Sequence, residues 1–220
     1  MEIKKPDHRI KAISFDLGGV LIASKHWHKR AFDMALANFG YTPLDEQDHL
    51  DNFNGLSTYR KLEILRARGQ FTIDSDKFNA MKQVYTIELI DKLCKPITRV
   101  SDVVNYANSL FNGNTAVVTS CSRVTATLML KKAGLLDKFK VIVTNNDVDG
   151  LIKPHPFPYI KAQNLLGFAN QENVCLAIDD NDNGIKSAMD ARCRFWRLEN
   201  FEDLTCMNLM EQLSALRVTI

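Results

Sequence analysis

The sequence predicts an α/β fold: a doubly wound parallel sheet of Rossmann-like type, with a helical domain inserted after its first strand. Three observations carry this. Short apolar, β-branched runs alternate with segments of helical periodicity, the pattern of βαβ units joined by right-handed crossovers. Residues 20–114 hold only helical patterns, far more chain than a single crossover helix requires. Chemically reactive side chains stand directly after the apolar runs, at the strand ends where open α/β sheets bind their ligands.

The first expected strand is Lys11–Asp16 (KAISFD). Four helical segments follow: Lys29–Phe39, closed by Gly40; Ser57–Arg68, opened by an N-cap serine and closed by Gly69; Asp74–Leu93; and Ile97–Phe111, which returns the chain to the sheet. A glycine just past a helical run is the usual C-terminal stop, and serine is a favoured N-cap. The second strand is Thr115–Thr119 (TAVVT), with helix Val124–Lys132 stopped by Gly134. Val141–Thr144 is the third, followed by helix Pro158–Leu166 and Gly167. Val174–Asp179 is the fourth, with helix Ile185–Ala191, and Phe195–Leu198 the fifth. Helical periodicity over Asn208–Val218 closes the chain. The expected domains are an α/β core of residues 1–21 and 96–220 and a helical domain of residues 22–95.

At 220 residues the chain suits one core domain with a modest insertion. Its 45% hydrophobic and 25% charged residues are ordinary for a globular protein. A formal net charge of +2 is too small to indicate nucleic acid or an acidic membrane surface as partner. No apolar run approaches the roughly 20 residues that span a bilayer. Met1–Lys11 is charged and carries Pro6, unlike a secretory signal. The cysteines at 94, 121, 175, 193 and 206 form no C-x-x-C pair, and their odd number speaks against a disulfide framework. The expectation is a reduced, cytoplasmic protein, monomer or homodimer.

Four strand ends carry candidate site residues. Asp16 closes the first strand and precedes Leu17-Gly18-Gly19; the glycines let the backbone turn tightly beside a rigidly held carboxylate. Thr119-Ser120-Cys121-Ser122 places hydroxyls and amides at a helix start, a setting that favours anions. Lys153-Pro154 comes after the third strand, where the lysine can neutralise a phosphate and a carboxylate together. Asp179-Asp180 ends the fourth. Two adjacent carboxylates repel unless a cation lies between them, and magnesium prefers such oxygen ligands. This set suits attack of a carboxylate on phosphorus through an aspartyl-phosphate, with metal and lysine stabilising the transferring group.

FDLGGVL, VVTSCS, IKPHP and AIDDNDNGI, in that order and each at a strand end, resemble the four motifs of the haloacid dehalogenase-like hydrolase superfamily. The double-Asp fourth motif is similar to that of the branch holding phosphoglucomutase-like and sugar-phosphatase proteins, and the insertion after the first motif resembles that branch's helical cap. The resemblance implies Asp16 as nucleophile, Thr119 with Ser120 as phosphate ligands, and Lys153 paired with both phosphate and Asp16. It implies Mg2+ held by Asp16, the Gly18 carbonyl, Asp179 and Asp180, and a small phosphorylated metabolite as substrate.

One position departs from the motif. Superfamily phosphatases carry a second aspartate two residues after the nucleophile, to protonate the leaving group and then activate water; here it is Gly18. The alternatives are slow hydrolysis, a preference for good leaving groups, another proton source such as His26 or His28, or phosphate-ester binding without turnover. The same glycine weakens a phosphomutase reading, as do Thr58 and Ser122 where mutases carry basic residues. The acid pair disfavours a metal-free dehalogenase. Cys121 has no sequence-adjacent base and reads as packing or a substrate-side contact.

Overall fold

The computed structural model describes residues 10–53 and 56–216. Most of the Met1–Lys11 segment, Gly55 ahead of Ser57 and Thr58, and Val218 of the last expected helix lie outside them. The chain divides into two compact units, Met1–Ala23 with Cys94–Ile220, and Ser24–Leu93. Strand β1 (Ala12–Phe15) leads into the helices α1 (Trp27–Asn38), α2 (Glu46–Asp48), α3 (Thr58–Ala67) and α4 (Ser75–Leu93). Then come α5 (Thr98–Leu110), β2 (Thr115–Val118), α6 (Arg123–Lys132), β3 (Val141–Val143), α7 (Phe157–Leu166), β4 (Cys175–Asp179), α8 (Asp182–Asp190), β5 (Arg194–Arg197) and α9 (Cys206–Ala215). Among the described residues no helix is long and apolar enough to cross a membrane.

The five strands form one parallel sheet in the order β3-β2-β1-β4-β5. The chain builds outward from β1 through β2 to β3, then crosses to the other side of β1 for β4 and β5. The reversal at β1 opens a crevice at the carboxyl ends of β1, β2 and β4, the usual ligand position in a doubly wound sheet. Strands β1, β2 and β4 are buried along their whole length, because helices cover both faces of such a sheet. Alternate residues sort the faces. Ala12, Ala116, Val118, Cys175 and Ala177 share one core cluster with Tyr159, Ala162 and Leu166 of α7 and Ala188 of α8. These sheet residues are small, so α7 packs close on β2 and β3 and reaches β1.

The helical unit has its own core. Ala31, Phe32, Ala35 and Leu36 recur at helical spacing on α1 and are buried. Phe32, Ala35 and Leu36 join Phe53, Leu62, Leu65, Phe71 and Phe78. Phe78 lies 4.9 Å from Phe32 and edge-on to Phe71 at 5.3 Å, centroid to centroid. Ser57 caps α3 by accepting the Arg60 amide at 3.3 Å. Asp45 caps α2 by accepting from Gln47 and Asp48, and α2 runs on into a π turn, His49–Phe53. Sequence periodicity does not register α2, since three residues hold less than one turn.

Two glycines are set by the carboxylates they face. Gly19 has φ +93°, and a Cβ there would strike the Asp180 carboxylate. Gly184 lies in α8, where a Cβ would land on the Asp179 carboxylate. In an open helix Gly→Ala gains up to ~1 kcal/mol. For Gly184→Ala the sign reverses: overpacking costs about 1–3 kcal/mol, so thermal unfolding should show a melting temperature several degrees below wild type.

Candidate active site

Strand register places the site residues side by side. Phe15 pairs with Val117 and with Ile178, so the next positions, Asp16, Val118 and Asp179, form a row across three strands. The Asp16 amide donates to the Ile178 carbonyl at 2.8 Å and fixes the start of the turn. Beyond it Gly18 and Ile22 make an isolated parallel bridge, and the Gly19 amide donates to the Ile22 carbonyl. Alternation puts Asp16 and Asp179 on the face covered by α7.

Lys153 enters from the loop before α7. Its ammonium donates to Asp16 Oδ1 at 2.7 Å, to Asp179 Oδ2 at 2.7 Å and to the Val118 carbonyl at 2.8 Å. All three of its N–H groups are therefore used. Asp16 is 6% exposed, Lys153 8% and Asp179 0%. The Tyr159 hydroxyl, fully buried on α7, donates to the same Asp179 Oδ2 at 2.8 Å. Its ring faces the Lys153 ammonium at 5.1 Å, inside cation–π range. The Asn181 amide donates to Asp179 Oδ1 at 3.3 Å, and the Asn181 side chain caps α8 by accepting the Gly184 amide.

An oxygen from each of Asp16, Asp179 and Asp180 lies within 4.8 Å of the others, and the Lys153 ammonium donates to two of these three carboxylates. Burial pushes the Asp16 carboxyl up, Lys153 pulls it back, and Asp179 and Asp180 push it further, to about 7. Burial would lower Lys153, but Asp16 and Asp179 more than offset it and hold it above the usual lysine range. Burial, then Asp179 and Asp16, raise Tyr159 well above an ordinary phenol, so it stays a proton-bearing donor. The arrangement can present a nucleophilic oxygen, hold an anion beside the ammonium, and accept a hard divalent cation among the carboxylates.

The remaining sequence-predicted residues make other contacts. Thr119 is buried; its amide donates to the Val143 carbonyl and its hydroxyl accepts the Cys121 amide at 3.2 Å. No hydrogen bond ties it to Lys153 or the carboxylates. Ser120 is exposed. Ser122 caps α6 by accepting the Thr125 amide. His26 is exposed, and burial with Lys82 and Lys61 pulls His28 down to about 4. At neutral pH His28 has no extra proton to give a leaving group. Sequence reasoning missed Tyr159, which its helical periodicity presents as ordinary core. The signal was there: a buried tyrosine needs a partner for its hydroxyl, and this one lies less than two turns beyond Lys153-Pro154.

Residues 13–198 match the haloacid dehalogenase-like hydrolase family. A pyrophosphatase, PpaX, from Bacillus cereus is 26% identical over 191 residues, covering 83% of this chain and 80% of that protein. A β-phosphoglucomutase structure from Clostridium difficile superposes with a TM-score of 0.76 at 20% identity, covering 95% of this chain and 99% of the other. CbbY from Rhodobacter sphaeroides, solved in complex with phosphate, gives 0.72 at 22% identity over 86% and 87%.

Two substitutions separate the contacts around Asp179. Lys153→Met leaves two buried carboxylates without their cation and should cost about 3–5 kcal/mol. Tyr159→Phe removes one of two donors to Asp179 Oδ2 and should cost about 1.5–3 kcal/mol. Urea unfolding reads both, and the lysine variant should be the less stable of the two.

Proposed function

The chain belongs to the haloacid dehalogenase-like hydrolase family, and from that premise we propose that it is a magnesium-dependent phosphatase of a small phosphorylated metabolite, with Asp16 as nucleophile. The observation that carries this reading is the Asp16 carboxylate itself. It is buried at the switch point of the sheet, bound to Lys153 on one oxygen and gathered with Asp179 and Asp180.

In the proposed reaction the substrate phosphoryl group lies beside Lys153, whose charge offsets the equatorial oxygens. An Asp16 oxygen attacks phosphorus; the new bond is Asp16 O–P, and the ester P–O bond breaks with its electrons going to the leaving oxygen. Water then attacks the aspartyl-phosphate, releasing phosphate and restoring the carboxylate. Thr119 and Ser120 are proposed as further phosphate ligands at the end of β2. The chain's own residues fit a divalent cation: the donors are hard oxygens, and carboxylate oxygens of Asp16, Asp179 and Asp180 lie within 4.8 Å of one another. Asp16, Asp179, Asp180 and the Gly18 carbonyl would hold Mg2+, which supplies charge stabilisation to the phosphoryl oxygens.

Gly18 restricts the leaving group. No side chain at that position protonates the departing oxygen, so departure depends on the acidity of the leaving group itself. The proposed substrates are esters or anhydrides with acidic leaving groups, in keeping with the pyrophosphatase named among the relatives. The helical unit is proposed as the cap that closes during the first step and excludes water. The second reading, a protein that binds phosphate esters without turning them over, draws on the same Gly18. The proposed setting is cytoplasmic, without nucleic acid or membrane as partner, as monomer or homodimer; the five cysteines form no disulfide.

Phosphate release from a panel of aryl, alkyl and anhydride phosphates tests the reading. Release should require magnesium, stop with a chelator, fall to background in Asp16→Asn, and rise with leaving-group acidity. Release that survives Asp16→Asn removes the mechanism, and no release from any ester selects the binding protein. Gly18→Asp restores an acid–base group, whose usual worth is about 10²–10⁴-fold. It should raise alkyl phosphate turnover most and flatten the leaving-group dependence.

A further inference from the structure

Further back along the sheet face that carries Asp16 and Asp179, a second group of polar side chains meets inside an apolar core. Alternation from Asp16 gives Ser14 on β1, and from Asp179 gives Cys175 on β4. Cys193 stands just before β5, and Gln163 reaches in from α7. All four are buried. The Ser14 hydroxyl lies 3.3 Å from Cys175 Sγ. The Gln163 side-chain amide donates to Cys193 Sγ at 3.3 Å and to the Ala191 carbonyl at 3.1 Å. The Cys175 and Cys193 thiols hydrogen-bond each other, and small residues around them, Ala12, Ala188 and Ala191, complete the cluster.

Strand register brings the two cysteines together. Leu176 pairs with Arg194 in the parallel β4–β5 ladder, and the cysteines each stand one residue earlier. The Asn173 amide donates to the Arg192 carbonyl at 2.9 Å, so the two chain segments stay paired past both cysteines. Neighbouring strands lie about 4.8 Å apart, inside the roughly 4.4–6.8 Å that a disulfide spans between Cα atoms. The Cys193 thiol pulls Cys175 below the ordinary thiol range; burial opposes this and the Ser14 hydroxyl adds to it. Hydrogen bonding to Cys175, then burial, push Cys193 well up. A cysteine that only packs acts as a small hydrophobe and needs no second thiol beside it. This pair is arranged as a thiolate donor with a proton-bearing partner.

We propose that Cys175 and Cys193 form a dithiol site that a peroxide oxidises to a disulfide, stapling the edge strand β5 to β4. The Cys175 sulfur attacks one peroxide oxygen: an S–O bond forms, the O–O bond breaks, and the departing hydroxide takes the thiol proton as water. The Cys193 sulfur then attacks the sulfenic acid on Cys175. The S–S bond forms, the S–O bond breaks, and the hydroxide leaves with the Cys193 proton as a second water. The two thiols lose two electrons and the peroxide gains them. A peroxide suits a buried pair because it is small, whereas access limits a bulky disulfide oxidant. The ring closed by the bond, residues 175–193, contains Asp179, Asp180 and all of α8. Oxidation therefore restricts the unfolded freedom of the segment that carries both acids. The site does not depend on the phosphatase reading.

Hydrogen peroxide treatment of the full chain in native buffer tests the pair, followed by alkylation in denaturant and peptide mass mapping. The peptides holding Cys175 and Cys193 should appear joined, lighter than their sum by two hydrogens, and should separate on dithiothreitol. Urea unfolding of the oxidised chain should show a higher midpoint than the reduced chain, and dithiothreitol should reverse the rise. Cys193→Ala should show neither the link nor the rise. Peptides that stay separate overturn the site, as does a link drawn instead from Cys94, Cys121 or Cys206. A link that leaves the midpoint unmoved overturns the staple. Mapping of the wild-type chain needs no variant, and the near-isosteric Cys193→Ser takes the place of Cys193→Ala should that variant fail to fold.

Discussion

The Lys153 ammonium is the interaction on which the strand ends depend. It spends its three protons on the ends of three adjacent strands: the carboxylate after β1, the last carbonyl of β2 and the carboxylate that closes β4. A parallel sheet aligns all its carboxyl ends on one edge, so acids placed there are forced together. Without the lysine, Asp16 and Asp179 would face each other in a dry crevice, where like charges repel strongly. With it, one charge offsets two, and the Val118 carbonyl uses the remaining proton. The small residues on this face, Ala12, Ala116 and Ala177, serve the same end. They let α7 approach closely enough for Tyr159 to reach Asp179 from behind.

The sequence makes the repeating parts readable and leaves the pairings hidden. Each apolar run with a helical stretch and a glycine after it marks a strand and helix with little ambiguity, because burial on both faces leaves no other home for VIV or CLAI. The strand order is different in kind. Parallel pairing comes from the crossovers, but β4 beside β1 rather than beside β3 is decided by packing across the whole sheet. The site divides in the same way. Asp16, Lys153 and the acid pair are visible because each stands just after a strand. That one ammonium binds Asp16, Asp179 and Val118 together requires the register, which no local pattern encodes. Tyr159 is hidden for the opposite reason: it satisfies the core pattern so well that nothing local marks its hydroxyl. At the edge of the insertion, Leu21 and Ile22 fold back on Leu17 and Gly19 through backbone hydrogen bonds and remain with the sheet.

The buried ionic groups at the strand ends carry a cost. Buried charge that is not offset costs folding free energy, and a fold under selection for stability alone would replace it with apolar groups of similar size. At the strand ends three carboxylates, Asp16, Asp179 and Asp180, gather within 4.8 Å, and Asp16 and Asp179 are buried. Buried ionisable groups kept at such a cost are characteristic of binding and catalytic sites.

Gly18 then decides which chemistry such a site can finish. Attack on phosphorus needs a fixed oxygen and nearby positive charge, and both are built into the strand ends. Departure of the leaving group needs a proton only when that group is a strong base. An alkoxide leaves with difficulty unless it is protonated, whereas phosphate, enolate or phenolate oxygens leave as stable anions. His28 cannot replace the missing acid, because burial and two lysines keep it neutral at the pH where a donor is wanted. In the proposed reaction, glycine at position 18 would therefore act as a filter on the substrate more than a loss of mechanism: the aspartyl-phosphate route would stay open to acidic leaving groups and slow for the rest.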